Sequence, residues 1–317
     1  MSPHELALAR SRTYRLFGRL FLRGIDGETR PSLPAVPELA QPAAGVDEDE
    51  AAADHYQLTA VSVFPYESIF LDPSGLLGGE VSERVASIYA QNSFEPPADA
   101  DHIGSELAFL SHLCGAEAQA WSHGEDSAAS LWHSRQQAFL AAHLLTWLPP
   151  LAAAVDLAGS AFYGRLANLT LDLAGDHLTV ETANRHPLAL PAAPPLAGEE
   201  SGLRDIARYL ATPPYSGLFL SRSAISDIAR AHSLPRGFGD RAQLLTNLLR
   251  TAGQYDLASA ITADLSALWT SWAGIYTSQQ DAHPDLTPWI LPWLERVEQT
   301  AASLLGITAV LENTPST

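Results

Sequence analysis

A stretch at residues 95–113, EPPADADHIGSELAFLSHL, places an aspartate and a histidine side by side at the start of an apolar helical pattern. Asp101 can accept a hydrogen bond from an amide in the first turn of that helix, and its charge suits the positive end of the helix dipole. His102, at the first helical position, would point toward solvent or a groove. An adjacent carboxylate and imidazole can bind a cation, polarise a donor or titrate near neutral pH. The pair is therefore the first candidate for a functional site.

The same stretch offers groups that could hold a metal ion. His102 and Glu106 are one helical turn apart, and Asp99 and Asp101 lie close to them in sequence. The next histidines recur every ten or eleven residues, which rotates them around a helix and keeps them from sharing a face: His112, His123, His133 and His143. The sequence has no HExxH or CxxC pattern. We expect no metal site, and a metal-dependent enzyme using this His, Asp and Glu cluster stays an alternative.

Nucleophilic and cofactor-dependent catalysis have no support in the sequence. There is no GxSxG motif and no glycine-rich phosphate loop after a strand, and the single cysteine, Cys114, lies on an apolar helical stripe. We predict no catalytic residue and no cofactor. Six tryptophans fit a core or a groove better than a cofactor site: Trp132, Trp147, Trp269, Trp272, Trp289 and Trp293.

Helical periodicity dominates the first half of the chain. Residues 4–22 predict a first helix, whereas residues 23–54 carry Pro, Gly and acidic residues without a period and predict a partly mobile loop. After the Asp-His pair, one apolar stripe continues at Ile103, Leu107, Leu110 and Cys114. A further helix is expected from a Ser127 cap through Trp147, and Pro149-Pro150 should break or kink it.

The second half is also predicted to be helical. Residues 151–177 continue the pattern, and two later stripes begin at Leu257 and Ile290. The only weak strand candidate is HLTVETA, residues 177–183. We predict an all-α fold with residues 1–185 as one helical domain, a proline-rich connector at 186–198 and a helical region at 199–317.

Composition limits the partners and the compartment. The 317 residues carry a net charge of −18, with no lysine, and a surface this acidic repels nucleic acid. One cysteine and a charged N-terminal stretch predict a reducing, cytoplasmic location. The best apolar run, 139–155, is interrupted by polar residues and prolines, so we expect no membrane span. The acidity itself favours either simple solvation or a basic peptide partner.

Five ordered motifs resemble the TorD/DmsD/NarJ family of chaperones for molybdoenzymes. They cover about residues 5–178 in the family's order: SRTYRLFGRLF, PYESIFLD, EPPADADHIGSELAFLSHL, FLAAHLLTWLPPLAAAV and AFYGRLANLTLDL. The resemblance implies an all-α, TorD-like helical bundle with an additional C-terminal helical region. It also implies a cytoplasmic, non-enzymatic chaperone that binds the apo form or the twin-arginine leader peptide of a molybdopterin oxidoreductase and delays its export until the cofactor is inserted.

The resemblance also assigns a peptide-binding site. Asp101 and His102 match the family's Asp-His pair, an acidic feature that suits two arginines. Tyr66 and Phe70 fall where the family places aromatic residues, and the acidic Asp99 and Glu106 lie nearby. We expect these residues to line a groove, so that Asp101→Asn and His102→Ala weaken leader binding with a stability cost of about 1 kcal/mol or less.

Two questions stay open at this stage. The family likeness fades beyond about residue 185, where we expect the chain to extend the helical core, with Arg222, Arg236 and Arg241 as available basic groups. An acidic helical adaptor for some other basic peptide is the alternative function.

Overall fold

The fold consists of α-helices. The computed structural model describes residues 1–183, 188–196, 201–235 and 237–313. The chain is 75 % helical, and its described part contains no β-strand, so the predicted all-α class is confirmed.

Backbone contacts divide the chain into two compact units. The first comprises Met1–Ile69 and Leu76–Pro187, and the second comprises Phe70–Gly75 and Leu188–Thr317. The predicted connector at 186–198 lies partly outside the described residues, and the three-part division stays a prediction.

The two halves contain the following helices. Up to residue 183 they are α1 (Pro3–Arg23), α2 (Pro37–Ala40), α3 (Glu48–Tyr56), α4 (Glu67–Leu71), α5 (Gly79–Gln91), α6 (Ile103–Ser122), α7 (Asp126–Phe139), α8 (Leu145–Leu157), α9 (Ala161–His177) and α10 (Val180–Ala183). Beyond it they are α11 (Leu203–Ala211), α12 (Pro213–Ser216), α13 (Arg222–Ala231), α14 (Arg241–Gln254), α15 (Ala258–Ala282) and α16 (Thr287–Asn313). Because α10 is a helical turn, the weak strand candidate HLTVETA is not a strand.

Helices α1 and α6 form the centre of the first unit. They pack more extensively against each other than any other pair in that unit. A Cβ atom on Gly18 would lie 2.9 Å from the carbonyl oxygen of Gly104, and one on Gly104 would lie 2.8 Å from the carbonyl oxygen of Gly18. The two glycines therefore let the helix backbones touch at the point where the Asp-His stretch begins.

The predicted loop at 23–54 is wrong, because short helical elements occupy much of it. A 3-10 helix spans Arg30–Ala35, and α2 and α3 follow. Prolines occupy early positions of the first two, where a missing amide costs little, and Asp47 caps α3 by accepting the Glu50 amide at 2.8 Å. Leu33 and Leu39 are buried. Single apolar anchors and caps therefore order a segment that lacks any hydrophobic period.

The helical run from Asp126 to Leu157 differs from its prediction in two ways. Its cap position is Glu125 and not Ser127, and both Pro149 and Pro150 lie inside α8. A π-helical turn at Leu140–Leu144 directly precedes α8, a known way for a helix to accommodate local strain. A stretch of this run is long and apolar enough to cross a membrane, yet 89 % of it is buried inside the fold, as in a core helix.

The second unit is organised around α15 and α16. The predicted stripe that begins at Ile290 is buried throughout. The stripe that begins at Leu257 is buried at its centre, at Ile261 and Leu265, but only half-buried at Leu257 and Leu268. The tryptophans of these helices form the core: Trp269, Trp272, Trp289 and Trp293.

The basic groups proposed for this half have different surroundings. Arg222 is exposed, and Arg236 lies outside the described residues. The Arg241 guanidinium lies 4.2 Å from the ring centre of Phe219, and burial lowers its pKa to about 10, so it stays charged at neutral pH. Arg241 is therefore a half-buried cation packed against Phe219 and not a free surface group.

Candidate functional site

Two segments that are far apart in sequence meet at the N-terminus of α6. Tyr66 and His102 form an isolated antiparallel bridge. The Glu67 amide donates to the Asp101 carbonyl at 2.9 Å, and the Ile103 amide donates to the Pro65 carbonyl at 2.9 Å. These bonds join the PYESIFL motif to the Asp-His motif, and we call this junction the clamp (residues 65–68 and 101–103).

Asp101 caps α4 and not the helix that follows it. Its Oδ2 accepts the Ser68 amide at 3.1 Å, while its carbonyl takes the Glu67 amide, so one residue satisfies the first two amides of a five-residue helix. Tyr66, which precedes α4, is not a residue type that caps helices well. Asp101 is only 1 % exposed. The expectation of an exposed Asp101 that caps its own helix is therefore wrong.

His102 is the cap of α6. Its Nδ1 accepts the Gly104 amide at 3.0 Å, which assigns the ring proton to Nε2. The side chain is 7 % exposed, and burial lowers its pKa to about 4, an effect that the neighbouring Asp101 only partly opposes. His102 is neutral at physiological pH. Its Nε2–H makes no hydrogen bond within the part of the chain that the structure describes, so it is the one donor of the pair still available.

A buried acid lies beneath the clamp. Glu106 is fully buried, and its Oε2 accepts the indole N–H of Trp147 at 3.3 Å. Burial, and then the charge of Glu67, raise the pKa of Glu106 well above its usual range. Its Oε1 has no hydrogen-bond partner among the described residues. The prediction that Glu106 contacts a peptide does not fit its burial, since a fully enclosed carboxyl group is out of reach of a peptide arginine.

Glu67, whose charge acts on Glu106, also contacts His143 in the π-helical turn before α8. It is 2 % exposed, and Nδ1 of His143 lies 3.2 Å from its Oε2. The Tyr89 hydroxyl donates to the Ala100 carbonyl at 2.8 Å and holds the loop before the clamp. The sequence did not indicate Glu67, His143 or Tyr89 as site components. Glu67 and His143 are 76 positions apart, and only folding brings them together.

The remaining predicted residues separate into two groups. Asp99 is exposed and Tyr66 is half-buried. Burial, and then the charges of Asp99 and Asp101, raise the pKa of Tyr66. Phe70 is fully buried and belongs to the second unit, where its ring stacks on Phe219 at 5.4 Å. The groove wall expected from Phe70 is therefore absent.

The clamp has no metal-binding arrangement. Within the described part of the chain, no group of three or more His, Cys, Asp or Glu side chains could hold a metal ion. The clamp and the adjoining Asp99 can instead present one aromatic ring, one carboxylate and one imidazole N–H.

Comparison with known proteins identifies the family. The sequence model of the family described as "Nitrate reductase delta subunit" matches residues 28–153, a range that contains the whole clamp. A protein of Aeromonas salmonicida named "Chaperone protein TorD" is 34 % identical over 183 residues, covering 55 % of this chain and 80 % of that relative. The chain belongs to the TorD chaperone family. TorD-family membership confirms the resemblance, and with it the prediction of a chaperone and not an enzyme.

Other TorD relatives match over shorter ranges. The "Chaperone protein TorD" of Shewanella pealeana is 31 % identical over 137 residues, covering 38 % of this chain and 56 % of the relative. That of Vibrio cholerae serotype O1 (strain ATCC 39315 / El Tor Inaba N16961) is 34 % identical over 98 residues, covering 29 % and 41 %. The chain thus spans about half or less of these two relatives. No solved structure matches the chain.

Proposed function

We propose that this protein is a cytoplasmic chaperone that binds the apo form and the twin-arginine leader of a molybdopterin oxidoreductase, delaying its export until the cofactor is inserted. The observation that carries the proposal is the TorD-family relationship across 80 % of the Aeromonas relative. The acidic net charge of −18 supports it, because a leader with two arginines is attracted to such a surface.

The proposed leader-binding surface combines the accessible part of the clamp with the preceding loop, and we define it as Tyr66, Asp99 and the Nε2 edge of His102. The exposed carboxylate of Asp99 would pair with a leader guanidinium. The half-buried ring of Tyr66 offers an aromatic face for a second arginine or for the apolar stretch. The free Nε2–H of His102 would donate to a leader carbonyl oxygen.

Asp101 acts in this proposal through its neighbours. Its buried carboxylate fixes the start of α4, and the backbone bridge between Tyr66 and His102 depends on that start. Asp101 is therefore a positioning residue for the leader-binding surface and does not itself touch the leader.

The proposal is tested with variants of the exposed Asp99 and the half-buried Tyr66, neither of which is a core residue. Tyr66→Ala and Asp99→Asn should each weaken the affinity for a twin-arginine leader peptide by about three- to tenfold, measured by isothermal titration calorimetry. Asp281→Asn is the matched control, since Asp281 is an exposed acid far along the sequence in α15. Equal affinities for all four proteins would refute this placement of the site. Absence of any leader binding would favour the alternative of an acidic adaptor for another basic peptide.

A further inference from the structure

The second unit contains a cleft with an unusual concentration of arginine. A cavity of about 570 Å³ lies along α11 and α14 and is lined by Arg204, Arg208 and Arg250, together with the amide side chains of Gln243 and Asn247. Arg204 and Arg208 are one turn apart on α11, and Arg250 is one turn beyond Asn247 on α14. The cleft lies outside the residues matched by the family model.

The three arginines have no side-chain partners within the part of the chain that the structure describes. All three are exposed, and within the described residues no hydrogen bond or ion pair of their guanidinium groups is found. The chain has twice as many acidic as basic residues, 36 against 18, so ion-pair partners are abundant in general. Three unpaired arginines around one cleft therefore point to a negative ligand.

The two aspartates that line the cleft, Asp205 and Asp240, each accept a hydrogen bond from a backbone amide. The Asp205 Oδ2 accepts the Gly202 amide at 2.9 Å, and the Asp240 Oδ1 accepts the Gln243 amide at 2.8 Å. Both carboxylates thus cap the first turns of α11 and α14 and do not pair with the arginines. Among the described residues that line the cleft, three cations against two acids leave an excess of one positive charge.

The loop before α14 packs closely against Gln243 and Asn247, two of the side chains that line the cleft. Gly239 has φ +113°, a backbone conformation that favours glycine, and a Cβ atom there would lie 3.0 Å from the Gln243 Oε1. A Cβ atom on Gly237 would lie 3.0 Å from the Asn247 Nδ2. The two glycines let the loop support both amide side chains that line the cleft.

We propose that this cleft binds a small molecule that carries phosphate groups. Guanidinium groups match phosphate oxygens with paired hydrogen bonds, and a diphosphate offers enough oxygens for three arginines on two helices, whereas a single carboxylate does not. The volume falls within the range of about 300–1,000 Å³ that is typical of small-molecule sites. The overall charge of −18 opposes a polymeric nucleic acid, so a compact anion fits best. This inference does not depend on leader binding.

The test is isothermal titration calorimetry of the full chain with inorganic phosphate, inorganic diphosphate and adenosine diphosphate at constant ionic strength. We expect saturable binding of diphosphate, tighter than that of phosphate. Arg204→Gln, Arg208→Gln and Arg250→Gln should each weaken it by about fivefold or more, and the triple variant should abolish it. Arg222→Gln, which changes an exposed arginine outside the cleft, is the matched control and should bind as the wild type does.

The two diphosphates distinguish the source of the phosphate. If adenosine diphosphate binds more tightly than inorganic diphosphate, the cleft also contacts the nucleoside part of an organic phosphate. If the two bind equally, the cleft recognises the phosphate groups alone. The inference is overturned if neither diphosphate binds saturably, or if Arg222→Gln weakens binding as much as the cleft variants. Binding of an aspartate-rich peptide in place of diphosphate would also overturn it. Unchanged melting temperatures would show that the exposed substitutions leave the fold intact.

Discussion

At the scale of single residues, Asp101 and His102 both cap helices, and they also position the proposed leader-binding surface. A five-residue helix has few internal hydrogen bonds, and its first amides need an external acceptor. Asp101 supplies two acceptors, its carbonyl and its carboxylate, to a helix that begins 34 positions earlier at Glu67. His102 meanwhile caps α6 and keeps one ring N–H free.

Asp101→Ala tests the clamp. Removing the carboxylate leaves the Ser68 amide buried without an acceptor, which should lower the free energy of unfolding by about 1–3 kcal/mol. Asp101→Asn should cost less, because its amide oxygen can still accept that hydrogen bond. Asp99→Ala, at an exposed neighbour, is the control and should stay within about 0.5 kcal/mol. Urea unfolding of the three variants measures this, and equal stabilities of Asp101→Ala and Asp99→Ala would contradict the clamp.

His102 should make stability depend on acid pH. Its pKa falls from 6.5 to about 4 in the folded state, so the neutral form stabilises the fold above pH 6.5, and this contribution is lost as the pH falls toward 4. The whole shift corresponds to roughly 3 kcal/mol. His102→Asn keeps a capping side chain but does not titrate. Its unfolding free energy should therefore fall less between pH 6.5 and 4 than that of the wild type, and identical pH profiles would exclude His102 as the cause.

At the scale of helices, the close crossing of α1 and α6 determines where the clamp lies. Gly104→Ala would place a Cβ atom 2.8 Å from the Gly18 carbonyl oxygen, so we expect a loss of about 1–3 kcal/mol in stability. Gly115→Ala, also in α6, meets only the Ser11 Oγ at 3.4 Å, an ordinary contact, and should be neutral or stabilising by up to about 1 kcal/mol. Thermal and urea unfolding compare the two, and an equal effect would show that the crossing tolerates more space than the structure indicates.

The long helices could be predicted from the sequence, and the short ones could not. A stripe such as that of α16 repeats apolar residues over several turns, so its period is visible without knowing the partner. The elements between residues 30 and 56 depend on single buried anchors and on caps, which leave no period. The π-helical turn before α8 was also invisible, because the proline pair predicts a disturbance but not its position upstream.

The sequence indicated which residues of the candidate site are neighbours, but not how they are buried or bonded. The motif order identified Asp101, His102 and Tyr66 as neighbours, and the structure brings them together. The contacts that enclose the acids could not be inferred, because α4 contributes Ser68 to Asp101 and α8 contributes Trp147 to Glu106, both from far along the chain. Helical spacing alone placed Glu106 off the apolar stripe, yet the helix is enclosed on nearly every side at that level.

At the scale of the whole molecule, the net charge of −18 makes the chain attractive to basic segments at a distance. This attraction is screened over about 8–10 Å at ordinary salt concentrations. The apolar part of a leader peptide would still bury surface against the protein, a contribution that salt leaves intact or slightly strengthens. Leader binding should therefore combine a salt-sensitive part and a salt-resistant part.

The most direct test of the proposed chaperone function is a titration of the full chain with a twin-arginine leader peptide across a range of sodium chloride concentrations. The control is the same peptide with glutamine in place of both arginines. The affinity of the native leader should fall as salt rises and then level off, while the glutamine peptide should start weaker and change little. Identical, salt-independent affinities for the two peptides would show that the acidic surface only solvates the protein and would contradict arginine recognition.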